Sequence, residues 1–215
     1  MRTLFLEAKS DIDIMPVLKK ALSLLGKKVG LVATIQHLHK LDEAVEFLEN
    51  NGRRAVIAGQ ILGCDVSAAE KIKGKVDCFL YVGSGEFHPI AVALETKKKT
   101  VIANPISNSV SKVSKEHIEK IEKKRKGNLL KFLSSQKIGI LVSIKPGQNN
   151  LKVAFELKKK LEKKGKECFV FIFDTLDFSQ LENFNFIQSW VNTACPRIEE
   201  DKLGILNYGI AIKSV

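Results

Sequence analysis

Short apolar runs alternate with amphipathic stretches along almost the whole chain. Runs rich in Val, Ile and Phe predict buried parallel strands, because such strands are covered on both faces. We place them at residues 29–33, 55–58, 78–82, 100–103, 138–143, 168–173 and 189–192. Helical periodicity lies between them, at residues 15–25, 41–51, 68–73, 89–97, 114–134 and 149–164. This alternation predicts an α/β fold with parallel sheets, flanking helices and right-handed crossovers.

A long charged segment, residues 112–131, separates two series of strands, and the second series begins at Lys137. We interpret the segment as a helix that bridges two small α/β lobes. The predicted domains are residues 1–130, which include the bridging helix, and residues 131–215. A single continuous sheet is the alternative. The second lobe is small, so we expect it to lean on the first.

Composition narrows the class of protein. The chain has 215 residues, of which 45% are hydrophobic, and this excludes a disordered or collagenous chain. No apolar run reaches the about 18 residues of a membrane-spanning helix, and residues 1–7 meet an acid before a signal-peptide core develops. Four scattered cysteines exclude a secreted disulfide framework. We therefore expect a soluble, cytoplasmic protein that does not bind membranes.

The formal net charge is +11, and it comes largely from runs of Lys interleaved with Glu at helical spacing. Such runs favour solvated helix faces, and a patch for an acidic or polyanionic partner is the alternative. No aromatic residues interleave with the lysines as a base-stacking platform requires, so we expect no direct binding of nucleic acid.

The cysteines fall into two classes by position. Open parallel sheets carry their chemistry at the carboxyl ends of strands, and Cys64 and Cys195 each follow a strand and precede a helix. Both are therefore placed as metal ligands or nucleophiles would be, with a structural role as the alternative. Cys78 and Cys168 lie inside apolar strands and are predicted to be inert core residues.

Three further loops have the same placement between a strand and a helix, and the one at residues 34–40 has a polar Gln-His pair that opens a helix. In the other two, at residues 82–89 and 143–150, glycines and backbone amides suit a carboxylate or phosphate. They match neither the dinucleotide fingerprint nor the Walker A loop. For the histidines, helix capping or a surface contact is the alternative. The candidate cofactor-binding residues of these loops are Gln36, His37, Ser84, Gly85, His88, Lys145, Gly147 and Gln148.

Six blocks of the sequence together resemble the archaeal 2-(3-amino-3-carboxypropyl)histidine synthase family, the iron-sulfur enzymes that begin diphthamide biosynthesis on elongation factor 2. The blocks are TIQH at 34–37, GQILGC at 59–64, VGSGEFHP at 82–89, ANP at 103–105, SIKPGQ at 143–148 and VNTACPRI at 191–198. They stand in the family's order and cover nearly the whole chain.

The resemblance implies three similar α/β domains, each of which supplies one cysteine to a [4Fe-4S] cluster. It implies that Cys64 and Cys195 are two of these ligands. It also implies that S-adenosylmethionine binds the cluster and is cleaved to a 3-amino-3-carboxypropyl radical, which adds to a histidine of elongation factor 2.

The sequence departs from the family in resembling only its second and third domains. We therefore expect a separate polypeptide to supply the first domain and the third cysteine, in a homo- or heterodimer. One alternative is a noncatalytic scaffold that binds elongation factor 2 or a catalytic subunit. Another is a cysteine-dependent transferase or hydrolase, which is disfavoured because neither Cys64 nor Cys195 has a base and an orienting group evident in the sequence.

Overall fold

The structure is a computed structural model that describes residues 4, 6–201 and 204–215, with the side chains of residues 200 and 201 left out. The prediction drawn from residues 1–7 lies partly outside the described residues. The chain folds as two compact units, one up to Ile118 and the other Glu119–Val215. Within the described part of the chain, no helix is both long enough and apolar enough to cross a bilayer.

The first unit contains a five-stranded sheet with the order β2-β1-β3-β4-β5. Its first four strands are parallel, and β5 pairs antiparallel with β4. A 3-10 segment, Leu22–Leu24, follows α1, and a longer one, Ile35–Lys40, precedes α2. The elements are α1 Met15–Ala21, β1 Lys28–Ala33, α2 Leu41–Asn50, β2 Arg54–Gln60, α3 Ser67–Ile72, β3 Cys78–Val82, α4 Phe87–Thr96, β4 Lys99–Asn104 and β5 Ser109–Lys112.

Alternate residues of the central strands cover the two faces of this sheet. Leu31 and Leu80 lie in a core with residues of α1 and α2, whereas Val32 and Phe79 lie in a second core with residues of α3 and α4. Side chains alternate between the faces because successive Cβ atoms of a strand point in opposite directions. The strands are therefore buried on both sides, and function is confined to their ends.

The second unit contains a four-stranded sheet with the order β7-β6-β8-β9, and all its strands are parallel. A 3-10 segment, Phe178–Asn183, precedes β8. The elements are α5 Lys115–Ser134, most of which belongs to this unit, β6 Lys137–Ser143, α6 Leu151–Glu162, β7 Glu167–Phe173, β8 Ser189–Asn192, α7 Ile198–Asp201, β9 Ile205–Asn207 and α8 Tyr208–Ala211.

The two faces of the second sheet are covered differently. Ile140 of β6 lies in a core with Phe132 of α5 and Leu157 of α6. The opposite face carries an aromatic cluster in which Trp190 packs edge-to-face against Phe171, with ring centroids 4.8 Å apart. Helices α5 and α6 cover one face, and aromatic side chains cover the other.

The predicted fold class is confirmed, since two parallel-sheet lobes with flanking helices are present. All seven predicted strands and all six predicted helices are present, with ends shifted by a few residues. The structure adds β5 and β9. It divides the chain at Ile118 rather than near residue 130, because Asn128 and Phe132 of α5 are buried with the second unit.

Candidate active-site loops

Cys64 lies at the tip of a tight turn that follows β2. The Ile61 N–H donates to Ala33 O at 2.9 Å and ties the end of β2 to β1. Leu62 and Asp65 then exchange two backbone hydrogen bonds of 2.9 and 3.2 Å, which leaves Gly63 and Cys64 as the two central residues. Cys64 is exposed, so the turn presents its thiol to solvent.

Gly63 brings the Cys64 loop against the loop that follows β3. A Cβ atom at Gly63 would overlap the Phe87 ring, which therefore packs directly on the glycine backbone. Phe87 in turn contacts His88 edge-to-face, with ring centroids 5.6 Å apart. A larger residue at position 63 would separate the two loops.

Tyr81 extends this contact to the loop that follows β1. Its ring stacks with His88 at a centroid distance of 6.0 Å, and its hydroxyl donates to Ser84 O at 3.0 Å. Burial raises the pKa of Tyr81, and a hydrogen bond with Thr34 opposes the shift. Burial also lowers the pKa of His88, so its ring is neutral near pH 7. The loops after β1, β2 and β3 thus meet at one edge of the sheet.

The remaining candidates of the first unit differ in exposure. Ser84 and Gly85 are exposed, and Gly85 has a φ of +76°, a left-handed conformation that favours glycine. Gln36 is exposed, and its backbone oxygen accepts from Ser10 N at 2.9 Å. His37 is only 3% exposed, and its Nδ1 has no hydrogen-bond partner among the described residues. Burial, followed by the nearby Lys40 and His39, lowers the pKa of His37.

In the second unit, the loop that carries Cys195 is wound around the side chain of Asn192, the last residue of β8. Asn192 Oδ1 accepts from Ala194 N at 2.9 Å, and Asn192 Nδ2 donates to Cys195 O at 2.8 Å. Thr193 donates to Leu141 O from both its backbone N and its hydroxyl, at 3.1 and 2.8 Å. Cys195 is partly exposed. The backbone of its loop is fixed by these hydrogen bonds to Asn192 and to Leu141.

The Lys145 loop lies beside the Cys195 loop. Asn150 Nδ2 donates to Thr193 O at 2.6 Å and joins the two loops directly. Lys145 is exposed, and its Nζ lies 3.4 Å from Thr175 Oγ1. Gly147 is exposed with a φ of +78°, and Gln148 N donates to Lys145 O at 3.0 Å. The strands that carry these loops, β6 and β8, are neighbours, so the loops emerge together.

The other two cysteines lie in the interior, as the sequence predicts. Gly26 N donates to Cys78 Sγ at 3.3 Å. Burial raises the pKa of the Cys78 thiol, and burial, reinforced by Glu162, raises that of Cys168 to about 11. Neither thiol is therefore ionised near pH 7. Each unit has one buried cysteine and one accessible cysteine at the carboxyl edge of its sheet.

Sequence reasoning missed several side chains that shape these loops. Tyr81 lies within an apolar strand, although a Tyr hydroxyl in such a run needs a polar partner when it is buried. Asn207 is the last residue of β9, a strand too short to predict, and its side chain donates a hydrogen bond to Pro196 O in the Cys195 loop. Arg125 and Glu199 form an ion pair with a 3.3 Å Nε to Oε2 distance, and charge periodicity alone does not reveal it.

The donor chemistry of the accessible thiols suits iron-sulfur binding, because thiolates are the protein ligands of such clusters. Cys64 in the first unit and Cys195 in the second each present an accessible thiol. Within the described residues, no group of three or more His, Cys, Asp or Glu side chains is arranged to hold a metal ion. Each accessible thiol by itself therefore has the chemistry of one cluster ligand.

Comparison with known proteins identifies the family. The family model for diphthamide synthesis proteins matches residues 1–204. The chain belongs to this family. It is 34% identical over 214 residues to the 2-(3-amino-3-carboxypropyl)histidine synthase of Pyrococcus horikoshii, an alignment that covers 94% of this chain and 60% of the relative. It is 32% identical over 178 residues to the synthase of Methanocaldococcus jannaschii, covering 82% of this chain and 47% of the relative.

Solved structures of the same family confirm the fold. The crystal structure of Dph2 from Pyrococcus horikoshii with a 4Fe-4S cluster has a TM-score of 0.77 and 30% identity, covering 94% of this chain and 61% of that chain. A second crystal structure of that Dph2 has a TM-score of 0.78. The resemblance drawn from the six sequence blocks is confirmed. The chain spans about three fifths of the length of these Pyrococcus relatives.

Proposed function

We propose that this chain is part of a 2-(3-amino-3-carboxypropyl)histidine synthase, in which Cys64 and Cys195 are two ligands of one [4Fe-4S] cluster. The observation that carries the proposal is the division of the cysteines. One accessible thiol follows a parallel strand in each unit, whereas the other two thiols are buried and hold their protons. The relative of known structure with a 4Fe-4S cluster supports the choice of metal group.

We infer that the third thiolate comes from the region of the relatives that this sequence does not match. Three thiolates leave one iron of a cubane open. When bound, the cluster supplies the electron that cleaves S-adenosylmethionine for transfer of the 3-amino-3-carboxypropyl group to a histidine of elongation factor 2.

The protein's own residues would bind and orient S-adenosylmethionine. The Lys145 ammonium and the backbone around Gly147 suit its carboxylate, because both present positive charge or N–H donors. Neutral His88 and the exposed Ser84–Gly85 segment offer hydrogen bonds to its ribose hydroxyls. Gln148 lies in the Lys145 loop, and Gln36 and His37 lie in the loop after β1. These three residues complete the proposed binding set. The net charge of +11 suits docking on an acidic surface of the elongation factor.

The test is an anaerobic transfer assay with reductant, S-adenosylmethionine, elongation factor 2 and the polypeptide that resembles the unmatched region. Cys64→Ala and Cys195→Ala should each abolish transfer, because each removes a ligand. Cys78→Ala is the matched control, since it removes a buried thiol and should leave transfer intact. Full transfer by both ligand variants would contradict the proposal and leave the chain as a noncatalytic positioning subunit.

Iron analysis provides a second test. The chain reconstituted alone under anaerobic conditions should hold an incomplete or labile cluster, because it supplies two thiolates. Addition of the second polypeptide should bring iron and sulfide close to one cubane per complex. A full, redox-active cluster in the isolated chain would contradict the separate source of the third thiolate.

A further inference from the structure

A polar network of two buried and two partly exposed side chains packs against the Cys195 loop and connects it to α5. The network consists of Asn192, Asn207, Glu199 and Arg125, and we call it the Cys195 clamp. Asn192 is 2% exposed and Glu199 is 3% exposed. Buried polar groups of this kind are costly unless they are hydrogen-bonded, so their partners indicate what they hold in place.

Both amides of the clamp use both of their N–H donors. Asn192 Nδ2 donates to Cys195 O and to Asn207 Oδ1, each at 2.8 Å. Asn207 Nδ2 donates to Pro196 O at 3.1 Å and to Glu199 Oε2 at 2.5 Å. A flipped amide would set oxygen against oxygen at these contacts, so the network allows one orientation of each side chain. Two consecutive carbonyls of the loop, those of Cys195 and Pro196, are therefore held.

Asn207 makes these bonds in place of a more ordinary one. It occupies the N-cap position of α8, where an asparagine side chain typically accepts from the first turn of the helix. Here the side chain makes no capping bond. Its amide is directed to the Cys195 loop and Glu199 instead, which leaves the start of α8 without that cap.

Glu199 and Arg125 complete the clamp. Glu199 Oε2 lies 3.3 Å from Arg125 Nε, and Oε1 is buried without a hydrogen-bond partner among the described residues. Burial raises the pKa of Glu199, and Arg125 opposes the shift. An ion pair that desolvates a carboxylate contributes little net stability compared with apolar residues of similar size, and Arg125 is itself partly exposed. The pair is better explained by the position it gives Asn207 than by the stability it adds.

We propose that Arg125, Glu199 and Asn207 are positioning residues that hold the Cys195 loop and set the direction of the Cys195 thiol. The contacts run from a side chain of α5 through a carboxylate and two amides to the backbone of Cys195. The role of this fixed loop position in cluster binding rests on the proposed function. The clamp itself does not, because it can be measured on the metal-free chain.

The test compares the alkylation rates of two cysteines in the same molecule. Iodoacetamide labelling near neutral pH, read by peptide mass spectrometry, gives the rate at Cys195, and buried Cys168 of the same unit reports general opening. Asn207→Leu and Glu199→Leu should raise the Cys195 rate at least about fivefold, the factor that one net hydrogen bond of about 1 kcal/mol represents. The Cys168 rate should stay unchanged.

Conservative and control variants separate positioning from stability. Glu199→Gln keeps one oxygen that accepts from Asn207 and faces Arg125, so its Cys195 rate should stay near that of the unchanged chain. Glu167→Gln is the matched control, since it disrupts an exposed ion pair with Lys137 in the same unit, and should change the Cys195 rate by less than about twofold. If the leucine variants do not fold, Arg125→Gln replaces them, because Arg125 is partly exposed. It should likewise raise the Cys195 alkylation rate relative to the Cys168 rate.

Each outcome decides the proposal. The proposal is supported if the leucine variants raise the alkylation rate at Cys195 but not at Cys168, and Glu199→Gln raises neither. An unchanged Cys195 rate, or an equal rise at Cys195 and Cys168, overturns it, because the residues then serve stability alone. Failure of the proposed function would be a different result. In that case Cys195→Ala would retain transfer activity, while the clamp variants would still raise the Cys195 alkylation rate.

Discussion

Gly139→Ala should destabilise the second unit, because the added methyl group has no room. Gly139 of β6 pairs with Trp190 of β8, and its Cβ would lie 3.0 Å from Trp190 Cδ2 and nearer still to two other ring carbons. Carbon atoms pack at about 3.5–4.0 Å, so the indole would have to move by about 1 Å. Phe171 and Phe184 pack against it, with centroids 4.8 and 6.4 Å away. Overpacking of this kind costs about 1–3 kcal/mol.

Urea unfolding measures this loss through the fluorescence of Trp190, the one tryptophan of the sequence. With a denaturant slope of about 1–2 kcal/mol/M, a loss of about 2 kcal/mol lowers the midpoint by about 1–2 M. Gly127→Ala is the matched control in the same unit. It lies within α5, where a Cβ would meet nothing within 4 Å, so the variant should gain about 0.5–1 kcal/mol from helix propensity. A midpoint for Gly139→Ala at or above that of the unchanged chain would refute the packing argument.

Two further predictions follow from the cysteines. In native alkylation near neutral pH, Cys64 and Cys195 should be labelled readily and Cys78 and Cys168 only after unfolding, and a buried thiol labelled as fast as Cys64 would contradict the division. The pKa of Cys168 is about 11 in the folded chain and 9.0 for an ordinary thiol. The folded state thus holds this proton more tightly, and the stability it contributes below pH 9 should be lost as pH rises toward 11. Urea titrations between pH 9 and 11 should show that the free energy of unfolding depends less on pH in Cys168→Ala than in the unchanged chain. Equal pH dependence in the two proteins would show that the Cys168 proton is not the cause.

The sequence predicted the strands well where burial on both faces made them continuous apolar runs. It missed β5 and β9 for opposite reasons. The sequence of β5, Ser109–Lys112, is polar, and it forms a strand because β4 offers an edge for antiparallel pairing. The strand β9, Ile205–Asn207, is apolar but has only three residues, and it exists because β8 pairs with it. Such elements depend on the strand with which they pair more than on their own sequence.

The candidate site divides in the same way. The placement of Cys64 and Cys195 after strands could be predicted, because the end of an apolar run is a local signal. Which loops contact each other was harder to predict, because these contacts depend on the order of the strands in the sheet. Phe87 packs on Gly63 and Asn150 binds Thr193, and each pair joins loops that follow different strands.

The sequence by itself determined the α/β class, the family, the two accessible cysteines and the two buried ones, since these depend on residue type and on patterns within a few residues. Only the tertiary structure decided that α5 belongs mostly to the second unit, and that Arg125 reaches the Cys195 loop through Glu199 and Asn207. The physical reason is desolvation. A charged helix looks solvated in sequence, and only folding shows which of its charges is brought against a buried carboxylate that needs it.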